Sequence, residues 1–112
     1  MLADAGRADE AIELANEAER LVRDDVLLRP VVQHALAAAY AAKGDAEQAG
    51  VHFKVALEEL AKRRQWREAA RVAREWSTML RSVDRVSEAL DMMEEATVFT
   101  ARHVGTRARR RS

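Results

Sequence analysis

Four arginines in the second half of the chain are spaced so that one helix would carry all of them on one face. They stand at positions i, i+4, i+7 and i+14 and are Arg67, Arg71, Arg74 and Arg81. Because a guanidinium group donates paired hydrogen bonds to carboxylates and phosphates, this spacing predicts a clamp for an acidic or phosphorylated peptide. The alternative interpretation is a solvated face on which arginines pair with glutamates of the same helix, as Arg71 and Glu75 can.

A second basic set ends the chain and could neutralise the phosphates of a nucleic acid. No helix with side chains suited to reading base edges is evident, so nucleic acid would be bound through this segment alone or only indirectly. The alternative is a solvated tail, and we expect residues 106–112 to be disordered. The basic residues of this set are Arg102, His103, Arg107, Arg109, Arg110 and Arg111.

Catalysis and metal binding find little support in the sequence. The three histidines fall on different predicted helices, none has a second ligand at i+3 or i+4, and the chain has no cysteine. No glycine-rich phosphate loop, Gly-x-Ser-x-Gly or His-Glu-x-x-His motif occurs. Adjacent acidic pairs such as Glu58–Glu59 project to different sides of a helix, which does not suit paired acid and base catalysis. The sequence therefore predicts a binding protein without a cofactor rather than an enzyme.

The composition indicates one globular domain with an uneven charge distribution. The 112 residues are 48% hydrophobic and 34% charged, and no apolar run approaches the roughly 18 residues that span a bilayer. No secretory signal is visible, and the lack of cysteine agrees with a reducing compartment, so we expect a cytoplasmic protein that does not bind membranes. Residues 1–59 carry 6 Lys and Arg against 12 Asp and Glu, and residues 60–112 carry 13 against 7, so the halves carry −6 and +6. The basic half favours an acidic partner, although ordinary solvated helix faces also explain it.

One short pattern occurs three times. A turn residue is followed five positions later by an alanine that begins the pattern Ala-x3-apolar-x2-Ala, and these alanines recur after 38 and then 40 residues. A period of this length is typical of helical repeat arrays, which bind partners. With 23 alanines and only 4% aromatic residues, the helices must approach closely over small side chains. The copies are Gly6 with Ala11, Ala15 and Ala18; Gly44 with Ala49, Phe53 and Ala56; and Asp84 with Ala89, Met93 and Ala96.

Hydrophobic spacing and turn signals predict five helices. Gly44 should end the second helix and Asp45 should cap the third. Asp25 is a candidate cap for the second helix, but Pro30 predicts that this helix starts nearer the proline or kinks there. Gly105 predicts the end of the fifth. The predicted spans are about residues 7–23, 25–43, 46–63, 66–82 and 85–104.

The alanine pattern and its turns resemble the tetratricopeptide repeat, which pairs an inner helix reading W-x2-L-G-x2-Y with an outer helix reading A-x3-F-x2-A. The resemblance covers about residues 2–100, although the periods exceed the family's usual 34 residues. It implies an all-α, TPR-like right-handed α-solenoid of about five antiparallel helices, in a domain spanning residues 1–105. The residues that carry it are Gln33, Leu36, Ala37 and Tyr40 before Gly44, then Ala73, Trp76, Ser77 and Leu80 before Asp84, with Leu2 before Gly6, besides the alanine copies.

The inner helices of that family line a concave groove, so the resemblance implies a groove that binds a protein or peptide. An asparagine that carboxylate-clamp adaptors carry on each inner helix is replaced by Ala38 and Thr78, so that particular type of binding is not expected. The implied groove positions are Val31, His34, Ala38 and Ala41 from the second helix, and Arg67, Arg71, Arg74, Thr78 and Arg81 from the fourth.

Long-period repeats rich in alanine and arginine also resemble those that follow the helix-turn-helix domain of actinobacterial transcription regulators, here on residues 63–70. This second resemblance implies the sensory or dimerising part of a bacterial regulator. The first repeat begins late in its inner helix, so we expect earlier repeats, a DNA-binding domain or another subunit to cover the first helix. A self-assembling scaffold is the alternative, through that uncovered helix or through Met92, Val98 and Phe99.

Overall fold

The computed structural model describes residues 2–111, with side chains described for residues 6–109. Over this range 86% of the chain is helical and no strand occurs, which confirms the predicted all-α class and the five helices. None of the described helices is long and apolar enough to cross a membrane. The chain divides into two compact units, unit 1 (Met1–Glu59) and unit 2 (Leu60–Ser112). The helices are α1 (Leu2–Leu21), α2 (Arg29–Lys43), α3 (Ala46–Lys62), α4 (Trp66–Ser82) and α5 (Val86–Arg111).

Small side chains form much of the core of unit 1. α1 packs on α2, and an ion pair of 2.9 Å between Lys43 Nζ and Asp9 Oδ1 joins the end of α2 to α1. α3 is held to α2 by the ring of Phe53, which lies 6.3 Å from the ring of His34. Leu14, two residues after the buried Ile12, is not part of this core, because it is 72% exposed. The buried residues include Ala8, Ile12 and Ala15 of α1, Leu36, Ala37 and Ala39 of α2, and Ala49, Phe53 and Ala56 of α3.

Unit 2 is built on the contact between α4 and α5. Alanines lie at the crossing, and the buried hydroxyl of Ser77 donates a hydrogen bond of 2.8 Å to the carbonyl oxygen of Ala89. Such close approach requires small residues, as the repeat pattern predicted. Met93 departs from the pattern, since it is 40% exposed where the middle copy has the buried Phe53. The buried apolar residues of the two helices are Ala69, Ala70, Val72, Ala73, Met79, Leu80, Ala89, Ala96 and Phe99.

The ends of α2, α3 and α4 share one turn geometry. A residue with left-handed backbone stands at each end, at Gly44 (φ 89°), Arg64 (φ 57°) and Asp84 (φ 61°), so the turns recur at positions 44, 64 and 84. This is the Schellman arrangement, in which an N–H beyond the turn satisfies a carbonyl of the last helical turn. For arginine the conformation costs about 1 kcal/mol. The bonds run from Asp45 to Tyr40 (2.9 Å), from Gln65 to Leu60 (3.0 Å) and from Arg85 to Leu80 (2.9 Å).

Two predicted helix starts have different outcomes. Asp45 caps α3 as predicted, because its carboxylate accepts a hydrogen bond of 3.1 Å from the N–H of Gln48. α2 begins at Arg29 with Pro30 in its first turn, where a proline costs no hydrogen bond. Asp25 therefore does not cap α2. Its carboxylate instead accepts bonds of 3.0 and 3.2 Å from the N–H groups of Leu27 and Leu28, within the connection between α1 and α2.

The predicted end of the last helix is wrong. α5 continues through Gly105 to Arg111, so residues 106–111 are helical where a disordered tail was expected, and Ser112 lies outside the described residues. Glycine ends a helix when it adopts the left-handed conformation, and Gly105 does not. Inside a helix it costs only about 1 kcal/mol. Phe99 and Arg102, in the turns just before Gly105, contact Trp66.

Candidate protein-interaction surfaces

The groove positions predicted from the sequence are divided between the two units. In unit 1, His34 and Ala41 are half-buried, while Val31 and Ala38 are exposed. His34 faces inward enough for its ring to contact Phe53, so part of its surface belongs to the core rather than to a groove. All the predicted positions of α4 belong to unit 2. These are Arg67, Arg71, Arg74, Thr78 and Arg81, and each is exposed.

The predicted positions on α4 share one face of that helix, as their spacing requires. We call Arg67, Arg71, Arg74 and Arg81 the arginine stripe. Arg71 Nε lies 3.8 Å from Glu75 Oε1, with both side chains exposed, so this pair contributes little. The other three arginines of the stripe make no ion pair with any described side chain. Among the four arginines of the stripe, only Arg71 therefore pairs with a glutamate of the same helix, as the alternative interpretation expects.

A row of exposed residues runs along α5 beside its packed face. The packed face contains Ala89, Ala96 and Phe99, and the exposed row lies one residue further along the chain, about 100° around the helix. Its members alternate in steps of four and three residues, which is the spacing that packs against another helix. We call this row the α5 outer row. It consists of Val86, Leu90, Met93, Thr97, Thr100 and Val104.

The arginine stripe and the α5 outer row border a shallow groove in unit 2. The groove has a volume of about 380 Å³, and its lining contains one charged residue, Arg74. The remaining lining is mostly apolar. We call it the α4–α5 groove. Its other lining residues are Met93, Ala96, Thr97, Thr100 and Ala101.

A second and larger depression lies at the other side of α5, with a volume of about 930 Å³. Trp66 lies at its centre, stacked on Phe99 with ring centroids 5.9 Å apart, while the guanidinium carbon of Arg102 lies 5.0 Å from the indole centroid. Phe99 is buried in this contact, so it is not part of the free apolar surface that the sequence suggested for dimerisation. We call this depression the basic cleft. It is lined by Arg63, Arg64, Trp66, Val98, Ala101, Arg102, Gly105, Thr106 and Arg109.

The residues of the basic cleft are far apart in the sequence, and no common site was predicted for them. Arg63 and Arg64 stand at a helix junction, and Arg102 and Arg109 belong to a segment whose end was predicted to be disordered. The available signal was the apolar ring at Phe99 followed by Arg102 at i+3, which places both on the side of α5 that meets Trp66. The side chains of Arg110 and Arg111 lie outside the described residues.

In unit 1, His52 of α3 is fixed between two side chains of α2. Its Nδ1 lies 2.7 Å from Oε1 of Gln33, and its ring is parallel to that of Tyr40 with centroids 5.5 Å apart. Partial burial lowers the pKa of His52 below its ordinary value, and the negative charge of Glu19 offsets part of that effect. The imidazole is therefore neutral near pH 7, and because the amide oxygen of Gln33 can only accept, Nδ1–H donates in this contact without adding a charge.

Acidification should weaken unit 1 through His52. Because the folded pKa lies below the ordinary value of 6.5, the unfolded chain binds a proton more readily, and the free energy of unfolding should fall as the pH drops below 6.5. Above that pH the residue is neutral in both states and has no such effect. Urea unfolding at several pH values tests this, with His52→Phe, which retains a ring against Tyr40, as the control. A loss of stability that the variant shares in full would contradict the assignment to His52.

No protein-family model, curated protein or solved structure matches this chain. The tetratricopeptide family therefore stays a prediction that rests on the alanine pattern and its spacing. Within the described residues, no group of three or more His, Cys, Asp or Glu side chains is placed to hold a metal ion. Two depressions of unit 2 differ in chemistry, one apolar with a cationic border and one densely cationic.

Proposed function

We propose that this chain is a protein-interaction module of tetratricopeptide type, and that its α4–α5 groove binds an acidic amphipathic helix of a partner. The observation that supports this is the pairing of an exposed apolar row with unpaired arginines. Leu90, Met93 and Val104 of the α5 outer row are exposed, and Arg74 borders the groove at their side. Apolar rows that repeat at steps of four and three residues are complementary to a helix with the same spacing.

The two parts of this surface would contribute differently to binding. Covering an exposed Leu, Met or Val contributes about 1.5–3 kcal/mol each, and part of that sum is offset by the cost of association. The arginines would select glutamate or aspartate on the flank of the partner and raise the association rate at low salt. A helix of about three turns, with leucines on one side and glutamates beside them, has the required chemistry.

Charge reversal of the arginine stripe tests this proposal. The double variant Arg74→Glu/Arg81→Glu should bind a designed helical peptide with leucines at this spacing and a glutamate flank about 30-fold more weakly, since two attractive pairs become repulsive. Fluorescence anisotropy gives the dissociation constant. Arg20→Glu/Arg23→Glu, in the last turn of α1 and in the connection after it, reverses the same number of charges at residues that do not line the groove and should change affinity less than threefold. Equal affinity for the groove variant and the wild type would refute the assignment.

The setting that we propose is the cytoplasm of a bacterium, in the sensory or dimerising part of a transcription regulator. The stretch of residues 63–70 supports this by its likeness to the repeats of such regulators. The reading frame in which the chain is encoded tests it, because a helix-turn-helix domain ahead of these repeats is the expected arrangement.

A second candidate function is self-association of head-to-tail type, which α1 favours. α1 also carries a row beside its packed face, at the same steps of three and four residues: Ala11, Leu14, Ala18 and Leu21. Leu14 and Leu21 are 72% and 80% exposed, Ala11 is exposed and Ala18 is half-buried. Glu10, Glu13 and Glu17 flank the row on the side away from the residues that α1 buries. Glu10 and Glu13 make no ion pair with any described side chain.

The α1 row of one copy therefore has the chemistry that the α4–α5 groove of another copy requires. Both surfaces have an apolar row with one spacing, and their flanks carry opposite charges. Because the two surfaces differ, such a contact is heterologous, and repeated contacts produce rings or open filaments rather than a closed two-fold dimer.

A further inference from the structure

We infer that the basic cleft of unit 2 is a binding site for an oligophosphate group, such as the phosphate chain of a nucleotide or an inorganic polyphosphate. The site is separate from the α4–α5 groove, because the residues that line the two depressions have only Ala101 in common. The inference therefore does not depend on the proposed function.

The cleft brings several cationic side chains close together. Four arginines line it, and the lining contains no carboxylate. Arg63, Arg64 and Arg102 make no ion pair with any described side chain. Nη1 of Arg63 is buried and has no hydrogen-bond partner, although an unmade bond of a buried charged donor costs more than 1 kcal/mol. A bound anion would reduce the mutual repulsion of the guanidinium groups.

The elements around the cleft hold these groups at defined positions. Arg63 and Arg64 lie in the fixed turn between α3 and α4, while Arg102 and Arg109 lie two helical turns apart on one face of α5. Gly105 lies between them on α5, and a Cβ at this position would meet no atom within 4 Å. The missing side chain leaves the middle of the cleft open, with arginines on either side of it.

The shape and charge of the cleft favour phosphates over stacked bases. The indole of Trp66 stacks on Phe99 and is contacted by the guanidinium group of Arg102, so its ring is already engaged by side chains of α5. The volume of about 930 Å³ is that of a small-molecule site. Several arginines in such a volume require several negative charges close together, which an oligophosphate supplies with oxygens suited to paired hydrogen bonds.

Thermal unfolding of the full chain with inorganic tripolyphosphate tests the site. At a hundredfold excess over the dissociation constant, the melting temperature should rise by roughly 5–10 °C relative to sodium chloride of equal ionic strength. A nucleoside triphosphate should act similarly, since its phosphate chain carries the recognition. Equal stabilisation by sulfate at the same ionic strength would mean general screening and would overturn the inference. Binding of a single-stranded oligonucleotide without any effect of tripolyphosphate would overturn it in favour of nucleic acid.

Two variants distinguish a ligand site from a structural role of the cleft. Arg63→Met keeps the length of the side chain and removes the unpartnered donor, so it should preserve the melting temperature without ligand and weaken tripolyphosphate binding at least tenfold. Gly105→Leu retains every charge and fills the open centre of the cleft, and it should abolish the stabilisation. Arg74→Met, on the other depression, should bind tripolyphosphate like the wild type. If both cleft variants respond to tripolyphosphate as the wild type does, the site is refuted.

Discussion

Replacement of Phe53 by alanine is expected to lower the free energy of unfolding of unit 1 by about 3–5 kcal/mol. Phe53 is 2% exposed and is among the largest fully buried side chains that the structure describes. Its ring fills the space between two fully buried alanines of α3, Ala49 and Ala56, and contacts His34 of α2. None of these neighbours is long enough to close the cavity, so the variant loses both the transfer free energy and the packing contacts.

Met93→Ala is the matched control for this prediction, because Met93 occupies the same position of the alanine pattern in the third copy. Because Met93 is 40% exposed, its replacement by alanine should lower the free energy of unfolding by less than about 1 kcal/mol. Urea unfolding followed by circular dichroism gives both values. Similar losses for the two variants would mean that Met93 is packed as deeply as Phe53, and the assignment of an open groove beside it would then be wrong.

The contrast between Phe53 and Met93 shows which features of the packing the alanine pattern predicts and which it does not. Alanine spacing predicted which face of each helix is packed, and Ala49, Ala56, Ala89 and Ala96 are indeed buried. Whether the large residue beside them is covered depends on a further helix that packs on that face, and spacing within one helix does not contain that information. The same limit applies to Leu14, which has helical spacing with Ala11 and Ala18 and is nevertheless exposed.

The junction between α3 and α4 was predicted as a short break, but its geometry was not. Glycine and aspartate are familiar in left-handed turns, so positions 44 and 84 were recognisable as turn residues. Arginine has no such preference, and Arg64 adopts the conformation because the helices on both sides are fixed by their buried faces. With Arg64 included, the turns follow a period of 20 residues, half of the 40-residue step seen in the alanines.

The basic cleft could not be predicted, because it depends on tertiary contacts for which the sequence has no motif. A glycine followed by a run of arginines normally marks a helix end with a solvated tail, and Gly105 and the residues after it predicted both. The stacking of Trp66 on Phe99 and the position of Arg102 over the indole hold α5 beside the α3–α4 turn, about three turns before its end. Because of these contacts, Arg102 and Arg109 line one side of the basic cleft.

Self-association of head-to-tail type should be abolished by variants at either surface and restored by mixing them. Glu10→Arg/Glu13→Arg removes the acidic flank of the α1 row but retains the α4–α5 groove. Arg74→Glu/Arg81→Glu does the opposite. Each variant alone should be monomeric at concentrations where the wild type forms larger species, because reversal of two charges at one surface weakens the contact by about 30-fold.

An equimolar mixture of the two variants should form species as large as those of the wild type. The intact groove of one variant receives the intact α1 row of the other, and the two reversed surfaces also carry opposite charges, so unlike variants alternate and growth continues. Light scattering coupled to size-exclusion chromatography measures the masses, at low salt where opposite charges attract most strongly. A chain that combines all four substitutions has reversed charges on both surfaces and should regain the assembly of the wild type. A two-fold dimer through one surface would behave differently, since one variant would then remain dimeric alone and the mixture would add nothing.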